Sequence, residues 1–183
     1  MNSLAGHLLI SDRSLTDPNF FQTVILMVQH DQDGALGLII NRPSNAHLKS
    51  LWPKIGEGKC HYEGLVYRGG PCEGPLMALH CERALSDSQV LENVFHTTSR
   101  EAVAELVGQA DIPLKVFAGY SGWSAGQLEQ ELNEGSWLAL PAKSEHVFGD
   151  TDELWKSVTG AVVGAALIKA AGLKHVPSDP RLN

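Results

Sequence analysis

The run Thr23-Val24-Ile25-Leu26-Met27-Val28-Gln29, the turn Asp31-Gln32-Asp33-Gly34 and the run Ala35-Leu36-Gly37-Leu38-Ile39-Ile40 decide how this chain folds. Two apolar stretches of strand length flank a polar segment ending in Asp-Gly. That dipeptide favours a tight hairpin turn because glycine accepts a positive φ. Neither run alternates apolar with polar residues, so both faces of the hairpin are expected to be covered. Asn41-Arg42-Pro43 closes the second strand, since proline brings no N–H to the ladder.

Working outward, residues 6–11 (GHLLIS) read as a short strand. Residues 44–64 read as irregular, with one helical turn near Leu48. Strands are expected at 65–68 and 76–80, around the turn Gly69-Gly70-Pro71, and again at 90–96. Thr98 opens a helix with Glu101 as its capping-box partner, running to Gly108. Residues 114–118 form a strand and Gly119-Tyr120-Ser121-Gly122-Trp123 a loop. A helix follows Ser124, with Gln127 at the box position, Leu128 and Leu132 as its apolar stripe and Gly135 as its stop. Short strands are expected at 137–140 and 146–148. Asp150 opens a last helix, with Glu153 as box partner and Gly172 as its stop. That helix is apolar on most sides (Leu154, Val158, Val162, Val163, Ala166, Leu167, Ala170), so it is expected to be buried, within the domain or in self-association. Strands early and helices late make the class α+β, pictured as a rolled, barrel-like mixed sheet with helices packed outside.

The 183 residues suit a single domain spanning 1–183, large enough to fold without a staple. The net charge of −7, with no run of Lys or Arg, speaks against direct nucleic-acid binding. Three cysteines, Cys60, Cys72 and Cys81, do not form a disulfide framework. Residues 1–7 hold no basic region ahead of a long apolar run, so no secretory signal is expected, and the apolar stretch 160–168 ends at Lys169, too short to span a bilayer. No membrane role and a cytoplasmic location are the expectation.

Four groups of residues invite a chemical reading. Gly122-Trp123-Ser124-Ala125-Gly126 matches the G-x-S-x-G nucleophile elbow, and Asp150, Asp152 and His175 follow in the order of a Ser…Asp…His triad. In that alternative the chain is a small serine hydrolase using Ser124. A structural role accounts for Ser124 better: it is placed to cap the following helix, and the sharp strand-to-helix turn is missing. Cys60-His61 and His80-Cys81, with Cys72 between, offer thiols and imidazoles, but no C-x-x-C pair is present and neighbouring residues of a strand point to opposite faces. No metal is expected. Gly69-Gly70-Pro71 is a turn without a phosphate-loop continuation, although the helix after Gly122 has free N–H groups that suit an anion. The aromatic loop 119–123 either folds onto the core or presents a surface. The glutamates of the helix beyond it (Glu129, Glu131, Glu134) form either a solvated face or a docking face for a basic protein.

These residues together resemble the AlgH/YqgE family of bacterial proteins. The resemblance is carried by residues 4–10 (LAGHLLI), Asp17-Pro18-Asn19-Phe20 with Thr23-Val24, and His30 with Gly34-Ala35-Leu36-Gly37. It continues in Asn41-Arg42-Pro43, Gly69-Gly70-Pro71 with Leu79-His80, and above all residues 119–132 (GYSGWSAGQLEQEL) with Trp137 beyond. The chain departs from the family pattern near Arg13, where proline is expected. The resemblance implies an α+β fold with a bifurcated sheet rolled into a pseudo-barrel, a cytoplasmic bacterial protein, and no catalytic role or cofactor. The family carries the label of a transcriptional regulator. With no helix-turn-helix and no basic helix here, action by binding a protein or small-molecule partner is the expectation. Carried over by position, the ligand- or partner-binding residues are Asn41, Arg42, Gly69, Gly70, Tyr120, Trp123, Gln127 and Glu131.

Overall fold

The computed structural model describes residues 3–170, with side chains to residue 164. The central hairpin forms as its sequence dictates: β2 (Val24–Asp31) pairs antiparallel with β3 (Gly34–Ile39) across a turn at Gln32-Asp33. Gly34 takes φ 143° there, and a Cβ on it would lie 2.3 Å from the Trp123 carbonyl oxygen.

Three further strands complete an antiparallel five-stranded sheet. They are β1 (His7–Ser11), β10 (Ser121–Ser124) and β11 (Trp137–Pro141), in the order β10-β3-β2-β1-β11. A second, six-stranded sheet has the order β4-β5-β9-β6-β8-β7. Its strands are β4 (Pro43–His47), β5 (Leu65–Arg68), β6 (Met77–His80), β7 (Ser88–Leu91), β8 (Val94–Thr97) and β9 (Leu114–Ala118). Only β5 and β9 in it run parallel. The helices are α1 (Leu48–Ile55), α2 (Arg100–Gly108), α3 (Gln127–Asn133), α4 (Ser144–Phe148) and α5 (Leu154–Ala170).

Alternation along the strands sorts the side chains into three cores. Leu8, Ile10, Leu26, Leu38 and Ile40 meet Met77, Leu79 and Phe117 between the sheets, where Val147 of α4 and Leu154 and Val158 of α5 join them. Val66, Ala78, Leu114 and Val116 look outward from the six-stranded sheet onto α1 and α2. Leu9, Ile25, Met27 and Ile39 look outward from the five-stranded sheet onto Leu128 of α3, Trp123 and Trp137. Both faces of the hairpin are therefore covered, as its lack of alternation requires.

The chain passes between the sheets twice at one place. β3 leads through Asn41 into β4, and β9 leads through Gly119-Tyr120 into β10. Gly69 and Gly70 lie at the crossing: Ile39 N–H donates to the Gly69 carbonyl, Gly69 N–H donates to Ala118, and Tyr120 and Cys72 exchange both backbone bonds. The fold is α+β and divided into two sheets; among the described residues they do not close into a barrel.

Several local readings change. Pro43 ends β3 but starts β4, taking the first position of an edge strand, where no donor is needed. Residues 48–55 form a full helix. Residues 88–97 are two strands, with Asn93 at φ 59° supplying the turn. Ser99, not Thr98, caps α2, accepting from Ala102 N–H at 3.2 Å. Residues 121–124 are an edge strand, and residues 144–148 a short helix. The last helix starts at Leu154; Gly172 lies outside the described residues. On α5, Leu154, Val158 and Thr159 are buried while Gly160, Ala161 and Val163 are exposed, so the burial is one-sided over the described part.

Lys115 is the charged group the sheets enclose, at 5% exposure. Its Nζ donates to the Ile40 carbonyl at 3.3 Å and stands 4.5 Å from the centre of the Tyr67 ring. Burial pushes its ammonium down to about 8, against a smaller opposing pull from Asp150. Below about pH 8 the folded state carries the full cost of the buried charge. Between there and the ordinary lysine value the unfolded chain binds more protons, so stability rises with pH. Lys115→Met is expected to stabilise the protein by about 1–3 kcal/mol at neutral pH. The variant should also lose the rise towards about pH 10. Urea unfolding of both proteins at the two pH values measures this; equal slopes would show that Lys115 is solvated.

Candidate functional site

The residues singled out by the sequence lie along the outer face of the five-stranded sheet and at the crossing. Gly126, at φ 77°, turns the chain from β10 into α3. Gln127 and Glu131 then stand one helical turn apart, and the Gln127 amide donates to Glu131 Oε1 at 3.0 Å. Glu131 Oε2 accepts two indole N–H groups, from Trp123 at 2.9 Å and Trp137 at 2.7 Å. The two indoles meet edge to face at 6.1 Å between centroids, and Phe20 meets Trp137 the same way at 5.4 Å. Glu131 is thus the acceptor that lets two buried tryptophans keep hydrogen bonds under α3.

Gln127 also reaches back. Its Oε1 accepts from both the N–H and the hydroxyl of Ser124, each at 3.1 Å. Ser124 is not the cap of α3; it ends strand β10 and spends its proton on Gln127. No imidazole contacts it among the described residues, and His175 lies outside them. Asp150 Oδ1 accepts from Asp152 N–H.

Asn41 and Arg42 hold the loop that carries Phe20. Asn41 accepts from Val24 N–H and donates to the Gln22 carbonyl. Arg42 donates to the carbonyls of Asn19, at 2.6 Å, and Phe21, at 2.9 Å. Burial, with Arg68 nearby, lowers this guanidinium from its ordinary value, and Asp17 works against that. Arg42→Ala removes two hydrogen bonds to exposed carbonyls that water can then reach, and is expected to cost about 1 kcal/mol. Chymotryptic cleavage at Phe20 and Phe21 should accelerate; unchanged cleavage would show that the loop holds itself.

Trp123, Gln127 and Glu131 therefore form one network, and Asn41 and Arg42 a second, joined through Phe20 and Trp137. Gly69, Gly70 and Tyr120 belong to the crossing.

The sequence reading missed a separation of charge. Residues 14–41 and 116–142 contain no Lys or Arg, yet carry Asp17, Asp31, Asp33, Glu129, Glu131 and Glu134. Tertiary pairing puts these two blank stretches together, as β2, β3, β10, α3 and β11. The distribution of Lys and Arg along the chain is the signal that would have found it. Among the described residues none of these carboxylates forms an ion pair with Lys or Arg; Glu129 pairs with His30. A bond from the Gln29 amide, aided by Asp33 N–H, lowers the Asp31 carboxyl below its usual range. A groove of about 230 Å³ beside Trp123 is lined by Gln29, Asp31 and Asp33. A wider one, about 570 Å³, lies between Asp17 and Glu134. The three cysteines are free, and among the described residues no three His, Cys, Asp or Glu side chains are placed to hold a metal. No described helix is long and apolar enough to cross a membrane.

Two divided sheets with α3 fastened to one by a glutamate between indoles define an α+β domain with an acidic outer face. A family model described as DUF179, AlgH-like, matches residues 8–166, and the chain belongs to that family, whose function is uncharacterised. The UPF0301 protein IL2218 of Idiomarina loihiensis is 38% identical over 168 residues, covering 87% of this chain and 91% of the relative. UPF0301 protein SCO2948 of Streptomyces coelicolor is 33% identical over all of this chain and 97% of its own. The solution structure of the AlgH protein from Pseudomonas aeruginosa superposes with a TM-score of 0.71 at 32% identity, over 96% of this chain and 97% of that one. Protein DIP2367 of Corynebacterium diphtheriae shares the fold at TM-score 0.69 and 21% identity, over 88% and 87%.

Proposed function

We propose that this protein acts by binding, not by catalysis, and that the outer face of the five-stranded sheet receives a basic protein partner. One observation carries the reading: the two stretches that build this face hold six carboxylates and no Lys or Arg. Arg42, reaching in from the next segment to hold the Phe20 loop, is outnumbered by these carboxylates; a surface of predominantly one sign attracts oppositely charged proteins and speeds their encounter. The same charge repels phosphate backbones, so a role in transcription, as the family label has it, would be exercised through the partner. In this reading Trp123, Gln127, Glu131, Asn41 and Arg42 hold α3 and its neighbouring loop in place. Gly69, Gly70 and Tyr120 set the crossing beneath them, and no cofactor takes part. Three free cysteines fit a reducing, cytoplasmic setting.

Asp33 and Glu134 are exposed, and Asp33→Lys/Glu134→Lys leaves four of the face's six carboxylates and adds two positive charges, without touching the indole network. Wild type and variant would be used side by side to capture proteins from bacterial extract. Basic proteins held by the wild type, lost from the variant and released by added salt are the expected result. The same proteins on both would reject this face. Labelling of the wild type by a fluorophosphonate, abolished in Ser124→Ala, would replace binding by the hydrolase reading.

A further inference from the structure

His30 is used by neither the crossing nor the indole network, yet it ties three segments together. Its side chain is 4% exposed. Leu4 N–H donates to Nδ1 at 2.9 Å, so the ring hydrogen sits on Nε2, which donates to Glu129 of α3 at 2.7 Å. The His30 carbonyl accepts from the Ser3 hydroxyl at 2.8 Å, and Ser3 Oγ in turn accepts from Ala5 N–H at 3.2 Å. Residues 3–5 are thereby strapped across the end of β2, with Leu4 against the outer core. The Leu4 carbonyl also accepts from His7 N–H at 3.0 Å, a local turn that does not bind the segment to β2, and the next anchor to β2 is Gly6 N–H to the Met27 carbonyl.

We infer that His30 is a latch that holds residues 3–5 closed while its imidazole is neutral and releases them when it gains a proton. A second ring proton has one place to go, Nδ1, where the Leu4 N–H already points. Two donors would then face each other, and that bond is lost. The contact with Glu129 survives as an ion pair, so the ring stays and the strap leaves. The charged neighbours are Glu129 on α3 and Asp31 on the same strand; Ala35, opposite on β3, adds none. Among the described residues of the N-terminal segment the titratable neighbour is His7, whose Nδ1 faces the Ala5 carbonyl at 3.3 Å. Release uncovers the apolar seat of Leu4 beside Glu129, so acidification changes the border of the acidic face. The latch stands on its own bonds and does not depend on which partner that face takes.

The test is amide exchange of Leu4 and Ala5 by NMR between about pH 8 and about pH 5, where imidazoles change charge, corrected for intrinsic exchange. Protection should fall by about tenfold in the wild type, the loss of one ordinary hydrogen bond. It should stay flat in His30→Asn, whose side-chain oxygen stands where Nδ1 stood and does not titrate. Amides of β6 serve as the control for general loosening. A flat wild type, or an equal fall in the variant, overturns the latch. Should the variant fail to fold, the wild-type imidazole nitrogens decide: Nδ1 must gain its proton at the same midpoint as the Leu4 amide moves, and separate midpoints overturn the proposal.

Discussion

Replacing Glu131 by alanine is expected to remove about 3–5 kcal/mol of stability, a large share of what a domain of this size has. The reason lies in what the carboxylate leaves behind. Trp123 is 7% exposed and Trp137 4%, and both indole N–H groups lose their acceptor. An unpaired buried donor costs about 1–3 kcal/mol. The Gln127 amide is exposed and finds water, so its share is small. Glu131→Gln keeps one acceptor oxygen and should cost about half as much, while Gln127→Ala should cost about 1 kcal/mol. Urea unfolding followed by tryptophan fluorescence measures all three. A loss below about 1 kcal/mol in Glu131→Ala would mean that water reaches the indoles, and that α3 sits on the sheet more loosely than these bonds require.

Gly70→Ala is expected to be worse. Gly70 has φ 156°, and its added Cβ would stand 2.2 Å from the Tyr120 carbonyl carbon, a backbone atom that cannot swing aside. At Gly69 the Cβ would stand 2.2 Å from the Gly119 carbonyl oxygen. Either change forces the two crossing segments apart and should cost more than about 4 kcal/mol, or prevent folding altogether. Gly58 and Gly126 make the useful contrast. Both have φ 77°, yet a Cβ on either meets nothing within 4 Å. Alanine there should cost only about 1 kcal/mol, the strain of the left-handed backbone alone. Thermal melts of the four alanine variants separate collision from conformational strain. If Gly70→Ala melts like Gly126→Ala, the crossing has more room than its backbone contacts indicate.

How far the sequence could be read follows from the range of each interaction. The β2–β3 hairpin was legible because its signals, Asp-Gly and two unbroken apolar runs, are local. So were residues 65–68 and 114–118, bounded by turn residues on at least one side. The hairpin at 88–97 was hidden because Asn93 turns the chain with neither glycine nor proline beside it. Residues 121–124 look like a loop because of Gly122. There the glycine serves a strand: a Cβ would come within 3.1 Å of the Tyr120 ring. Residues 146–148 are part of a helix too short to show a period. At the candidate site, the Gln127–Glu131 pair has an i, i+4 spacing that could have announced it, although the sequence reading put Glu131 on the outer side of the helix. Its indole partners were not visible, since Trp137 reaches Glu131 through the pairing of β11 with β1, which no local pattern announces.

The double crossing at Gly69-Gly70 also governs how this molecule must come into being. The edge strand β10 of the five-stranded sheet continues directly from β9 in the other sheet. The six-stranded sheet needs β4 at its edge, and β4 is delivered by β3. Each sheet takes an edge strand from a segment that begins in the other, so fragments cut at the crossing are expected not to survive apart. The closing contacts join residues far apart in sequence, which makes assembly slow relative to helical proteins of similar length. Once closed, the same wiring makes the two layers melt together in a single transition.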